Sequence, residues 1–312
     1  METPATIARE APAVPLGTSF TIQKYLFAFA TQFETREYLR TQPIPDEADQ
    51  AAEILKAWHQ VQPRVLALIG SEAGLADTIA VEHVPAHLHK HVQKMLKGFQ
   101  PPIRVAMVEI DKLVAPQRKV DLDFVKKLHS DLPVKPTLDD LLELCLSSER
   151  PFAPVQHLEV GSNAHIFSSP STDIRFLGAF LKGTLSPDDL AHAPPGGMPV
   201  AAIISFVGYG ASPVNVYAAG RRMVLSNGFH RLYALRALGI ERAPVLVQTA
   251  ANPHLDFPPQ LLGIPREYLL THQRPVLMKD FFETGFTADV RTQNRIRVVS
   301  VQVTPGQHDV PA

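Results

Sequence analysis

The stretch LSNGFHRLYALRALGIERAPVLV, residues 225–247, carries the strongest local signals in the chain. Asn227 and Gly228 form a dipeptide typical of tight turns. Apolar residues then recur at helical spacing until Gly239, a residue that commonly follows the end of a helix. The apolar run after it is typical of a buried strand. The stretch therefore predicts a turn, a helix over FHRLYALRALG and a strand over APVLVQ.

The turn has the composition of an anion-binding site. The first N–H groups of a helix have no partner inside it and attract negative charge. Gly228 leaves room for a ligand, Arg231 offers a planar cation to phosphate or carboxylate oxygens, and His230 offers a second donor. An ordinary turn whose His and Arg face water has the same composition, so the residues alone leave both interpretations open.

The segments around this stretch alternate between helical and strand patterns. IRVAMVEI (103–110) predicts a strand, whereas DLDFVKKLHSDL (121–132) and TLDDLLELCLSS (137–148) predict helices. VAAIISFVGYG and VNVYAAGRRMVLSNG predict strands, the second with a turn at Gly220, and RIRVVSVQV (295–303) predicts a final strand. The mixture predicts an α+β fold.

Changes of pattern and clusters of proline divide the chain into regions. We predict a flexible tail at 1–16, a helical N-terminal region at 17–100, a mixed-sheet core at 101–250 and a C-terminal extension at 251–312 that packs on the core. A helical insertion at about 133–200 interrupts the core.

The composition limits the classes of function. The chain has 312 residues and a formal charge of −1, so no global field attracts nucleic acid. The single cysteine, Cys145, has no partner for an internal disulfide. The N-terminus lacks the apolar region of a signal peptide, and no apolar run reaches the roughly 20 residues of a membrane span. These features favour a soluble cytoplasmic protein without a membrane partner.

The stretch at 225–247 resembles the signature of the ParB/sulfiredoxin-like superfamily, which includes the ParB-like nuclease domain. Members have a strand, a turn with Gly, then His or Arg followed by Arg, an Ala-rich helix, Gly and a strand. A second segment, VAMVEIDKLVAPQRKVDLDFVKKL (105–128), is similar to the opening strand, basic loop and helix of the family. The matching residues of the first stretch are Asn227, Gly228, His230, Arg231, Ala234, Gly239, Pro244 and Val245.

The resemblance implies a ParB/sulfiredoxin-like core in a divergent member, with a nucleotide over the turn. Asn227, Gly228, His230 and Arg231 would bind its phosphates, and Gln117 or Arg118 would reach in from the facing loop. ATP or CTP is the implied cofactor, with Mg²⁺ as its companion ion. DNA is a partner on family grounds alone.

The chain departs from its relatives where they keep reactive groups. Phe229 replaces the catalytic cysteine of sulfiredoxins, so reductase chemistry is not expected. Asn227 replaces the aspartate of relatives that phosphorylate free serine. Residues 251–312 contain too many prolines for the DNA-reading helices of partition proteins. No catalytic residue is assigned, and phosphotransferase or nuclease activity stays open.

Two further segments contain candidate site residues. FSSPSTDIR (167–175) lies within the predicted insertion and is a candidate lid over the turn or a simple helix cap. Its candidate residues are Ser171, Thr172, Asp173 and Arg175. VEHVPAHLHKHV contains four histidines but no acidic partner on a separate element, so we predict no metal site.

We therefore expect a nucleotide-binding or phosphate-ligand-binding protein of the ParB/sulfiredoxin-like type. The alternative is a non-enzymatic protein-interaction or DNA-associated module that retains the fold without catalysis. The oligomeric state does not follow from the sequence.

Overall fold

The structure is a computed structural model. It describes residues 20–42, 48–84, 103–147, 153–161, 163–171, 173–191, 193, 196–210, 213–252, 256–307 and 309–310. The predicted flexible tail at 1–16 lies outside these ranges. Within them the chain contains seven α-helices and several mostly antiparallel sheets, which confirms the α+β class.

The helices and strands are numbered in chain order. The strands are β1 (Phe20–Leu26), β2 (Val81–His83), β3 (Ile103–Glu109), β4 (Lys119–Asp121), β5 (Gln156–Val160), β6 (Ala164–Ser169), β7 (Ile174–Lys182), β8 (Ala202–Tyr209), β9 (Asn215–Ala219), β10 (Arg222–Asn227), β11 (Arg242–Thr249), β12 (Gln260–Leu261), β13 (Ile264–Pro265), β14 (Thr287–Gln293) and β15 (Arg297–Gln302). The α-helices are α1 (Gln32–Thr41), α2 (Ala48–Ser71), α3 (Leu122–Ser130), α4 (Leu138–Leu146), α5 (Pro187–Ala191), α6 (Phe229–Ala237) and α7 (Arg266–Thr271). Short 3-10 helices occupy Leu75–Thr78, Ile110–Lys112 and Met278–Phe282.

A five-stranded sheet in the order β10-β9-β11-β3-β2 forms the centre of the fold. β9 and β11 run parallel, and the other neighbours run antiparallel. β11 is almost wholly buried, as its apolar sequence predicts. α3 packs against α6, and α4 packs against β11. The predicted strand, helix and turn positions between 103 and 147 and between 202 and 249 are therefore confirmed, and the turn lies where β10 meets α6.

The prediction of a helical N-terminal region is wrong at its start. Residues Phe20–Leu26 form β1, which pairs antiparallel with β14 on one side and with β4 on the other. The helical part begins only after Thr31, whose side chain and that of Glu34 form a capping box at the start of α1. The apolar residues of FTIQKYL fit the spacing of a helix and that of a strand. Pairing with β14, from the far end of the chain, makes the segment a strand.

The prediction of a helical insertion at about 133–200 is confirmed for α4 and wrong after it. After α4 the described residues before β9 are mainly strands, with the five-residue α5 as the one helix among them. β5 and β6 join β15 in a three-stranded sheet, and β7 pairs with β8. Local propensity is weak there, since Ser, His and Gly recur, and strand formation depends on cross-strand pairing that the local pattern does not reveal.

Contacts with the C-terminal segment tie distant parts of the chain together. The Ala115 N–H donates to the Val276 carbonyl at 2.8 Å, beside the central sheet. The buried Arg222 side chain bonds both carboxylate oxygens of Asp77, at 2.9 and 2.8 Å, and donates to the Leu269 carbonyl at 3.1 Å. These contacts join β10 to the 3-10 helix before β2 and to α7.

Candidate functional site

The predicted turn connects β10 to α6. β10 ends at Asn227 and α6 begins at Phe229. Gly228, at the N-cap, has a φ of +101°, which L residues with a side chain rarely adopt. The Asn227 Nδ2 group donates to the Pro213 carbonyl at 3.2 Å. Asn227 therefore ties the turn to the segment before β9.

The close approach at Gly228 is made by the chain itself. A Cβ at this position would lie 2.7 Å from Cγ2 of Val214 and 3.0 Å from its Cα. Real Cβ atoms essentially never come within 3.0 Å of a heavy atom outside their own residue and its two neighbours in the chain. The space that the sequence assigned to a ligand is thus occupied by Val214, and glycine is required there for packing.

Phe229 occupies the position that the resemblance gives to a catalytic cysteine. Its side chain is 4% exposed and belongs to the main hydrophobic core. A phenyl ring has no nucleophilic atom. The side chain at this position therefore stabilises the start of α6 through packing.

Arg231 is 6% exposed and is directed into the protein. Its Nη1 group donates to the carbonyls of Leu144 and Cys145, at 3.4 and 3.2 Å. These carbonyls belong to the last turn of α4, where carbonyls have no partner inside the helix itself and a cation is favourable. The guanidinium group predicted to bind phosphate is thus bonded to the end of a neighbouring helix.

His230 is the second residue of α6, and its side chain is directed at the start of α3. Its ring contacts the Phe124 ring edge to face, with centroids 5.3 Å apart. Burial lowers the pKa of His230 below its ordinary 6.5; the carboxylates of Asp121 and Asp173 oppose this, and the Arg231 cation reinforces it. His230 is therefore neutral at pH 7 and supplies no positive charge to the turn.

The depressed pKa of His230 makes stability depend on pH. In the unfolded chain this histidine takes up a proton near pH 6.5, whereas the folded chain resists protonation until a lower pH. We expect the free energy of unfolding to decrease as the pH falls below about 6.5, by at most about 1.4 kcal/mol per pH unit for one proton. Urea unfolding of wild type and His230→Gln at several pH values measures this. Identical pH dependence of the two proteins would contradict the expectation.

Gln117 and Arg118 contact other elements than the turn. The Gln117 side chain donates to the carbonyl of Lys119, the first residue of β4. Arg118 Nη1 lies 2.8 Å from a carboxylate oxygen of Glu34 on α1, and the Arg118 carbonyl accepts from the Leu26 N–H at 2.8 Å. The loop therefore attaches β1 and α1 to the central part of the fold.

One residue of the candidate lid, Asp173, has a carboxylate whose charge acts on His230 in the turn. The Ser171 N–H donates to Ser169 Oγ, and the Asp173 N–H donates to Ser171 Oγ, both at 3.2 Å, so the segment forms a turn with its own side chains. Thr172 lies outside the described residues. Asp173 is the member whose charge acts on His230, and Arg175 lies against the backbone of Gly210.

The side chains that the structure brings together at the turn differ from the set that the sequence predicted. His230, Phe124, Asp121 and Asp173 lie around the start of α6. Asp121 is the N-cap of α3 and accepts from the Phe124 N–H at 2.9 Å. Sequence reasoning missed Asp121 and Phe124, although an Asp before a helical pattern is a cap signal. Two carboxylates and a neutral histidine do not match a clamp for triphosphate oxygens.

A cavity of about 440 Å³ lies elsewhere, between α2, the segment after β1 and the end of α7. Phe29, Trp58 and Tyr268 contribute aromatic walls. Trp58 Nε1 donates to a backbone carbonyl at 2.8 Å, and the charge of Arg274 is balanced by an aspartate. The cavity includes none of the residues predicted for the site, and these two polar wall groups have partners within the chain.

The described residues contain neither a metal-binding group of side chains nor a membrane-spanning helix. There, no group of three or more His, Cys, Asp or Glu side chains is arranged to hold a metal ion. Of the histidine-rich segment, His87, His89 and His91 lie outside those ranges. None of the described helices combines the length and apolar composition that a bilayer crossing requires.

Comparisons with protein-family models, with curated proteins and with solved structures gave no match.

Proposed function

We propose that this chain is a protein-interaction module built on a ParB/sulfiredoxin-like fold, with the strand pair β7 and β8 as its contact surface. One observation carries the proposal: large apolar side chains on these strands are 48–69% exposed. Clustered exposed apolar side chains typically mark interaction sites. We call this surface the β7–β8 ribbon. Its exposed apolar residues are Phe176, Leu177, Phe180, Leu181, Ile203 and Phe206.

The order of elements supports the fold assignment. The opening strand β3 and the helix α3, and later in the chain the strand β10, the helix α6 and the strand β11, come in the order that the resemblance implies. The predicted insertion contains β7, and β8 follows directly after it. A divergent insertion on a stable core is a frequent location for binding surfaces.

The contacts around the turn support binding without catalysis. Arg231 and Arg118 are bonded to acceptors within the chain, and Phe229 lies in the core. A catalytic turn needs donors or nucleophiles directed at a substrate. The exposed strands, by contrast, have apolar area available for a partner.

Site-specific photo-crosslinking in the cells that produce the protein tests this function. A photoreactive phenylalanine derivative at Phe180 or Phe206 should form a covalent adduct with a protein. The same derivative at Val134, a residue 98% exposed outside the ribbon, should not. Absence of an adduct from both ribbon positions, or equal adducts at Val134, would overturn the proposal.

Nucleotide binding is the second candidate, favoured by one observation. α6 begins directly after the left-handed Gly228, so the N–H groups of its first turn lack partners inside the helix. Calorimetric titration with ATP, CTP, GTP and inorganic phosphate, with and without Mg²⁺, tests it. Under the interaction proposal we expect no binding at millimolar concentration. Binding that is lost in Arg231→Ala or His230→Gln, with folding retained, would favour the nucleotide.

A further inference from the structure

The cavity between α2, the segment after β1 and the end of α7 has the size of a small-molecule site. Its volume of about 440 Å³ lies within the roughly 300–1,000 Å³ of ligand pockets. Voids left by imperfect packing are seldom larger than one water molecule, about 30 Å³. Trp58, Tyr268 and His272 line the cavity and are each partly exposed, so it opens to solvent. The chain therefore has room for a ligand there and a path by which the ligand can enter.

Four aromatic side chains line the cavity, and two of them have fixed partners. Trp58 is held by the bond from its Nε1 to the Ala30 carbonyl. The rings of Tyr268 and His272 lie side by side, with centroids 4.7 Å apart, and Phe29 is the fourth aromatic residue of the wall. Aromatic faces and edges attract other planar rings in stacked or edge-to-face contacts. The wall therefore favours an aromatic ligand over an aliphatic one of the same size.

The cavity offers a ligand no unbalanced charge. Arg274 is the one Lys, Arg, Asp or Glu among the described residues that line it. Its side chain is 0% exposed and bonds both carboxylate oxygens of Asp280, at 2.9 and 2.6 Å. Its Nε donates to Glu72 at 2.9 Å. A charged ligand would lose its hydration there without gaining a counter-ion, so the cavity favours a neutral one.

Two side chains of the wall each keep one polar atom without a partner among the described residues. Gln62 donates from Nε2 to the Ala28 carbonyl at 3.1 Å, and its Oε1 remains as an acceptor. The Arg274 N–H donates to Nδ1 of His272 at 3.2 Å. A ring nitrogen that accepts carries no hydrogen, so the ring hydrogen of His272 lies on Nε2. Because both side chains line the cavity, a ligand there can use one acceptor and one donor.

We propose that this cavity binds a small, neutral, planar aromatic molecule that carries a hydrogen-bond acceptor and a donor, as a carboxamide does. The ring lies against Trp58 and Tyr268, the acceptor takes the hydrogen of His272 Nε2, and the donor meets Gln62 Oε1. A few polar groups in a mostly apolar pocket fix the orientation of a ligand in this way. The cavity shares no residue with the β7–β8 ribbon, so the two proposals succeed or fail separately.

NMR titration of the full-length chain with benzamide tests the proposal. Trp58 is the single tryptophan of the chain, so its indole N–H gives one signal that reports on the cavity. We expect benzamide to shift this signal saturably, with a dissociation constant of about 1 mM, as is typical for a ligand of so few atoms. Cyclohexanecarboxamide lacks the aromatic ring and benzoate carries a charge. Each should bind about fivefold more weakly or worse.

Variants of the two polar wall residues test the hydrogen bonds. Gln62→Leu removes the acceptor and His272→Ala removes the donor, so each should weaken benzamide binding about fivefold. Gln60→Leu makes the matched change at an exposed residue of α2 outside the cavity and should leave binding unchanged. Circular dichroism checks the folding of each variant, and the comparison of the three compounds needs wild type alone. The proposal is wrong if benzamide causes no saturable shift, if the three compounds bind equally, or if all three folded variants bind as wild type does.

Discussion

Asp280→Ala is expected to lower the free energy of unfolding by about 3 kcal/mol, because it breaks a fully buried ion pair. Asp280 and Arg274 are both 0% exposed, and their nearest nitrogen and oxygen atoms are 2.6 Å apart. Asp280 also accepts from the Leu277 N–H at 2.7 Å. Without this carboxylate, the Leu277 N–H loses its acceptor and the Arg274 cation is left largely uncompensated.

Arg274 keeps two partners in the variant, which limits the loss. Glu72, the residue after α2, lies 2.9 Å from Arg274 Nε, and the Pro275 carbonyl accepts from Arg274 Nη1 at 2.7 Å. Burial by itself lowers the pKa of Arg274, but its bonds to Asp280 and Glu72 outweigh burial and raise it. The expected loss is therefore at the low end of the roughly 3–5 kcal/mol measured when one member of a buried pair is removed.

Urea unfolding measures the loss, with an exposed ion pair as the control. Glu37 and Arg40 form an i, i+3 pair on α1 whose side chains are 42% and 70% exposed. Glu37→Ala should leave the free energy of unfolding close to that of wild type, because exposed ion pairs contribute little. If Asp280→Ala and Glu37→Ala lose the same stability, the buried pair does not hold the C-terminal segment in place.

Elements with strong local signals were predictable from the sequence. β3, α3 and α4 occupy the predicted positions, and α6 begins at the residue after the Asn-Gly turn. In each case a cap or a glycine lies next to a clear apolar period, and these signals act over a few residues. The α+β class follows from them without tertiary information.

Elements that depend on distant partners were not predictable. β1 becomes a strand because β4 and β14 flank it, and β5 to β7 lie where the local pattern is weak. The same limit applies to the site. The sequence identifies Arg231 as a cation in a first helical turn, but its acceptors lie 86 and 87 residues away. The residue type shows that Arg231 can donate hydrogen bonds, but only the fold shows that the carbonyls of α4 accept them.

Gly228→Ala is expected to lower the free energy of unfolding by about 2–6 kcal/mol, through two separate effects. A left-handed φ of +101° strains a residue with a side chain by about 1–3 kcal/mol. The added Cβ would also lie 2.7 Å from a Val214 methyl group, and overpacking of this kind adds about 1–3 kcal/mol. Val214 is fully buried and its N–H bonds the Cys145 carbonyl, so it cannot move away freely.

A Val214→Ala background separates strain from packing and decides between the two interpretations of the turn. If Gly228 makes room for Val214, removing the contacting methyl group should recover part of the stability that Gly228→Ala loses in urea unfolding. Gly220→Ala is the control without a contact, because Gly220 has a φ of +60°, within the left-handed region that L residues can adopt, and no atom lies within 4 Å of its added Cβ. It should lose less stability than Gly228→Ala. A glycine retained for ligand access would instead lose the same stability in both backgrounds, because the strain at a φ of +101° remains when Val214 is shortened.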